Sequence, residues 1–78
     1  MVVDNVVHYT ASTHPRTVPR TLAALRDFAA RQGWNPTREV YDLAPPHIPA
    51  RQRTGWRTVE RLLTTGQVTG LVAPAELR

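Results

Sequence analysis

The sequence predicts one small α/β domain: a three-stranded, mostly parallel sheet in the order β-α-β-α-β, with helices packed on it. Three observations point there. The chain has 78 residues, a length at which folding hides little more than roughly 60% of the unfolded surface and a second core has no room. Two segments carry apolar residues at helical spacing, and three carry the β-branched, aromatic or aliphatic runs of strands. The two kinds of segment alternate, which is the pattern of a parallel sheet with right-handed crossovers.

The first strand is expected over about residues 2–9, where Val2, Val3, Val6, Val7 and Tyr9 form a run suited to burial. From 18 to 32, a step of about 100° per residue gathers Val18, Thr21, Leu22, Leu25, Phe28 and Ala29 on one arc, with Arg20, Asp27 and Arg31 opposite. Thr17 is a candidate N-cap and Pro19 is tolerated in the first turn. Gly33 stands where a left-handed C-terminal cap belongs, and Trp34 should fold back onto the core. Asn35-Pro36 disfavours helix and introduces a second strand over about 37–43. Residues 44–53, with Pro45, Pro46 and Pro49, read as a loop that is neither helix nor central strand. A second helix over about 55–65 puts Trp56, Val59, Leu62 and Leu63 on one arc and Arg57 and Arg61 on the other, and Gly66 ends it. A third strand over about 67–73 stops at Pro74.

Composition excludes several classes of function. There is no cysteine, hence no disulfide framework, Cys-ligated zinc or cysteine nucleophile, which fits a reducing cytosol. No apolar run approaches the roughly 20 residues of a membrane span, and Met1 to Asn5 lacks a signal-peptide pattern, so a soluble cytoplasmic protein is expected. The net charge of +4 and the pI near 11.1 suggest nucleic acid. All ten basic residues are Arg, however, and each half of the chain holds five Arg and three acids, so the charge is spread evenly. The absence of Lys and the single Ile, beside abundant Ala, Arg, Pro and Thr, match the coding bias of a GC-rich bacterial genome.

In parallel sheets ligand chemistry gathers at the carboxyl ends of the strands. Ser12 stands just past the first of these ends, and as a nucleophile it would need a group to take its proton and donors to stabilise charge. Its neighbour His14 is too close in the chain to aim at it readily, and Ser12-Thr13 also read as a capping loop leading to Thr17. Asp42 reads either as a general base or as a turn or cap residue. His8, His14 and His47 lack the spacing of a helical metal site, so neither a metal nor a cofactor is expected. Arg53, Arg57 and Arg61 fall four apart and, with Arg51, form a candidate phosphate-binding surface, or else the solvated side of an amphipathic helix. No aromatic residue interleaves with them to stack bases. Pro46-His47-Ile48-Pro49 has PxxP spacing without a flanking pattern and reads first as loop.

Three segments occur in a telling order: Leu22-Ala23-Ala24-Leu25-Arg26-Asp27-Phe28 continuing to Gly33-Trp34, then Arg38-Glu39-Val40-Tyr41-Asp42, then Arg53-Thr54-Gly55-Trp56. The order resembles the N-terminal catalytic domain of the serine recombinases, the resolvases and invertases. Counted back from Leu22 without a gap, Ser12-Thr13 fall on that family's Ser-Thr pair. The resemblance implies a resolvase-like fold in which serine attacks a DNA phosphodiester while several arginines clamp the phosphate. Ser12 matches the nucleophile, Asp42 the acid ending the second strand, and Arg53 the arginine opening the second helix. Thr10 replaces the arginine two residues before the serine, and Arg16 replaces the glutamine four residues after it. Leu77 replaces the aspartate of the closing Asp-Arg-Leu-x-Arg, which leaves Arg78 as at best the first of its two arginines.

Each lost phosphate donor costs about 10²-fold or more in rate. The expectation is therefore a truncated, degenerate recombinase-like domain without catalytic activity, acting as a protein-interaction or regulatory module. A homo-oligomer or a recombinase-like protein is the expected partner, since an apolar face or sheet edge is left open. A weak nucleic-acid-binding accessory role through Arg51, Arg53, Arg57 and Arg61 is the second expectation. A residual Ser12-dependent phosphoryl transfer, anchored by Arg53 and Arg78, is the third.

Overall fold

Three parallel strands, β1 (Asn5–Ala11), β2 (Asn35–Asp42) and β3 (Gly70–Val72), form one sheet in the order β2-β1-β3 in a computed structural model that describes residues 4–45 and 47–75. Helices α1 (Thr17–Gln32) and α2 (Thr54–Thr64) form the crossovers, so the expected element order and α/β class are present.

Alternation along the central strand creates two apolar layers. Val6 packs with Val18, Leu22, Leu25, Ala29 and Val72 beneath α1, and Trp34 folds onto this layer as expected. Val7 and Tyr9, pointing the other way, pack with Val40, Val59, Leu62 and Val68 beneath α2. One helix thus covers each face. β1 is buried on both faces because it lies between two strands and two helices.

The differences from expectation have local causes. Val2 and Val3 of the expected first strand lie outside the described residues, and β1 runs on to Ala11. Thr17 is the first helical residue rather than the N-cap. Arg16 holds that place with no side-chain hydrogen bond, because the chain already turns through a Thr17 N–H to His14 carbonyl bond of 3.0 Å. Phe28 is 44% exposed rather than core; it lies at the margin of the arc and stacks edge-on against Trp34. Leu63 is likewise at the margin of α2 and 37% exposed.

β2 begins at Asn35, before the proline, because Asn35 is fixed to Asp4 through its N–H and to Asn5 through its side-chain amide. A shift in register between Val6 and Val7 leaves Thr37 without a partner there, and this bulge accommodates Pro36 near the start of an edge strand. The Pro-rich loop contains one 3-10 turn, Ala50–Gln52, closed by Gln52 and Arg53 N–H bonds to Pro49 and Ala50 carbonyls. β3 is shorter than expected because the N–H groups of Gln67 and Val68 bond back to the Leu62 carbonyl at the end of α2. Gly33 adopts the left-handed conformation (φ 76°) and donates to Ala29 and Ala30, closing α1.

Candidate functional site

Because the strands are parallel, Ser12 and Asp42 come to the same edge of the sheet, where α2 begins. The Ser12 N–H donates to the Asp42 carbonyl at 3.0 Å. The two side chains are nevertheless committed elsewhere.

Asp42 is buried and its carboxylate accepts three hydrogen bonds. Oδ1 receives the Gly55 N–H at 2.8 Å, and Oδ2 receives the Trp56 N–H at 3.0 Å and the Tyr9 hydroxyl at 2.7 Å. The residue at the N-cap position, Arg53, supplies no capping side chain. Asp42 does so from another element, and its negative charge meets the positive end of the α2 dipole. Of its two sequence readings, the cap is the one this geometry realises.

Arg53 is also buried. It precedes α2 in an extended conformation (φ −93°, ψ 126°), so its side chain leaves the helical stripe that its spacing suggested. Its Nε donates to the Ile48 carbonyl at 3.1 Å, and its guanidinium lies near enough to the Tyr9 hydroxyl to act on it electrostatically. Arg51, Arg57 and Arg61 remain exposed, so three of the four arginines of the expected basic surface face solvent.

Tyr9 links these groups. Its ring packs edge-on against Trp56 with centroids 5.3 Å apart. Burial, reinforced by the hydrogen bond to Asp42 and partly offset by Arg53, pushes its phenol up to about 12. A hydroxyl so held keeps its proton and serves as a donor. In sequence Tyr9 reads only as a core aromatic, and nothing local signals its polar role.

Ser12 Oγ accepts the His14 N–H at 3.0 Å, forming a serine turn ahead of α1, in line with the capping-loop reading. His14 and His47 are exposed. His8 is fully buried on the opposite face of β1. Its Nδ1 lies 3.4 Å from Glu39 Oε2, and its Nε2 has no hydrogen-bond partner. Arg26 of α1 grips Glu39 through both carboxylate oxygens, at 2.9 and 3.1 Å, and this bond above all holds the Glu39 carboxyl below its ordinary range. Among the described residues no group of three or more His, Asp or Glu side chains is placed to hold a metal. Arg78, the last residue of the resemblance, lies outside them, as does Pro46 of the PxxP spacing.

Two open grooves flank α1. One, of about 440 Å³, lies between the first half of the helix and the end of β2, lined by Pro15, Val18, Pro19, Leu22, Arg26, Tyr41 and Leu43. The other, of about 460 Å³, lies beside β3 among Leu25, Phe28, Trp34, Leu71 and Val72. Sequence reasoning singled out neither. The only signal for the first was Tyr41 and Leu43, two apolar residues alternating with Asp42 at the end of a strand. None of the described helices is long and apolar enough to cross a membrane. Neither a scan against protein-family models nor searches of curated proteins and of solved structures found a match to this chain.

Proposed function

We propose that this chain is a non-catalytic protein-interaction or regulatory module on a serine-recombinase-like scaffold. What supports the reading is the use made of the polar groups at the strand ends. Asp42 spends both oxygens on three internal donors, Arg53 is turned into the protein toward Ile48 and Tyr9, and Ser12 Oγ accepts a backbone N–H. A phosphoryl-transfer site needs these groups presented to a substrate. Meanwhile the apolar surface left over is concentrated in grooves beside strand edges, where partners bind. Sedimentation across a wide concentration range, combined with recovery of bound proteins from cell extract, tests the reading. Self-association or a reproducible partner is expected, and a sharp monomer that recovers nothing overturns it. Incubation with suicide DNA substrates provides the complementary check, in which a Ser12-dependent covalent adduct would restore the enzymatic reading.

The exposure of Arg51, Arg57 and Arg61 supports a second reading, weak nucleic-acid binding. Titration of labelled duplex at low salt decides it. Binding at micromolar protein that weakens steeply with salt supports phosphate contacts, whereas no binding rejects them.

A further inference from the structure

We infer that the α2 side of the sheet holds a nucleic-acid duplex through its phosphates alone, with Arg38, Arg51, Arg57 and Arg61 as donors, and reads no base sequence. The inference rests on the nucleic-acid reading above and specifies which form of the partner fits and how it is held. What carries it is the division of side chains between the two faces of the sheet. Alternation along β2 puts Arg38 on the side of Val40 and Asp42, which is the side that α2 covers. Arg57 and Arg61, one turn apart, form the ridge of α2 away from buried Val59 and Leu62, and Arg51 is exposed on the 3-10 turn before the helix. Among the described residues, none of these four guanidinium groups forms an ion pair. Glu60 is the one exposed acid of α2, and Asp42 is spent as its cap. The other side differs. There Arg26 is held by Glu39, Asp27 stands one turn before Arg31, and Phe28, Tyr41, Leu43 and Leu71 line the two apolar grooves.

The same geometry sets the mode of contact. Recognition helices of the helix-turn-helix kind offer their first residues to base edges in the major groove. The first turn of α2 is docked instead: the Gly55 and Trp56 N–H groups donate to Asp42, and Gly55 lies against the Tyr41 carbonyl. Threonine hydroxyls on the helix and its C-cap are likewise spent on backbone. Thr58 donates to the Thr54 carbonyl at 3.4 Å, Thr64 to that of Glu60 at 2.6 Å and Thr65 to that of Arg61 at 2.8 Å. Charge is therefore what this ridge offers, and guanidinium charge is suited to phosphate. Single strands are held by aromatic platforms on which their bases stack. Trp56, the aromatic residue of α2, is half-buried and packs edge-on against Tyr9, so the denser phosphate rows of a duplex are the better match.

The probes are labelled DNA duplexes of unrelated sequence and the matching single strands, titrated from about 50 mM to about 200 mM salt. Equal affinities for the duplexes and weaker binding of the strands are expected. The slope of log K against log salt should be about −3.6, or about −0.9 for each of four phosphates. Arg57→Ala and Arg61→Ala should each make the slope shallower by about 0.9 and weaken binding about tenfold at the lowest salt. Arg20→Ala and Arg31→Ala remove the same charge from the α1 side and should leave the slope unchanged. All four positions are exposed, and an unchanged circular dichroism spectrum verifies the fold. A preference for one duplex sequence, tighter binding of single strands, a slope unmoved by Arg57→Ala and Arg61→Ala, or equal losses from both sides overturns the proposal and leaves the nucleic-acid reading standing. No binding of duplex or strand at micromolar protein rejects both.

Discussion

The Asp42 carboxylate receives the Gly55 N–H at 2.8 Å, and this approach is close enough to forbid any side chain at position 55. A Cβ there would lie 2.6 Å from Asp42 Oδ2 and 2.8 Å from the Tyr41 carbonyl oxygen. The requirement is steric rather than conformational, since Gly55 lies within α2 at an ordinary negative φ. Helix propensity alone favours alanine over glycine by about 1 kcal/mol. Gly55→Ala should nonetheless destabilise the fold by about 2 kcal/mol or more, because the neighbours are backbone and a buried carboxylate that cannot swing aside. Urea unfolding measures this, and a stabilised variant would show that α2 does not dock on Asp42 in this way.

Tyr9→Phe removes one donor from Asp42, while Asp42 keeps its two N–H partners. A loss of about 1–3 kcal/mol at neutral pH is expected. The sign of the pH dependence follows from the raised phenol. Its folded value of about 12 exceeds the unfolded value of 10.0, so its contribution is complete below pH 10 and is lost as pH rises toward 12. The stability gap between wild type and Tyr9→Phe should therefore narrow across that window. A gap that stays constant from pH 9 to pH 12 in denaturant titrations contradicts the hydrogen-bonded arrangement of Tyr9.

The apolar framework was legible because it rests on periodicity. Val6, Val7 and Tyr9 on β1 and Val18, Leu22, Leu25 and Ala29 on α1 occupy the positions that alternation and helical spacing assign. The polar connections were not legible, because their partners are far apart in the chain. Asp42 caps a helix 13 residues further on, and Tyr9 reaches Asp42 across 33 residues. No local pattern encodes either. Arg53 misled for a related reason. Its four-residue spacing from Arg57 suggests a shared face only if both are helical, and the extended backbone at the cap turns Arg53 inward. Pro36 disfavours helix from sequence alone, but its place inside an edge strand depends on a bulge that only the pairing with β1 defines.

On the α1 side of the sheet, the bidentate bond from Arg26 to Glu39 lowers the Glu39 carboxyl below its ordinary range. A group depressed in the folded state contributes stability above its unfolded value and loses that contribution as pH falls through the folded one. Arg26→Gln should thus lower stability at pH 7 modestly, the pair being solvent-screened, and should make the acid limb of the stability profile shallower. Identical acid limbs in the two proteins would mean that the pair is not formed in solution.

His8 presents the opposite case, a polar group whose burial is not compensated. It is 0% exposed in the central strand, its Nδ1 has only a long 3.4 Å contact with Glu39, and its Nε2 has no partner. An unsatisfied buried acceptor or donor costs about 1–3 kcal/mol. Leucine is of similar size and suits the surrounding layer of Val6, Val18, Leu22, Leu25 and Val72, and Glu39 retains both bonds from Arg26 when the imidazole is gone. His8→Leu should therefore stabilise the protein, by about 1 kcal/mol once the weak contact to Glu39 and some imperfect packing are subtracted. Chemical unfolding at pH 7 measures the difference. A loss of 2 kcal/mol or more would show instead that the imidazole is held by a bond stronger than 3.4 Å implies, or that Nε2 meets a buried water that leucine displaces.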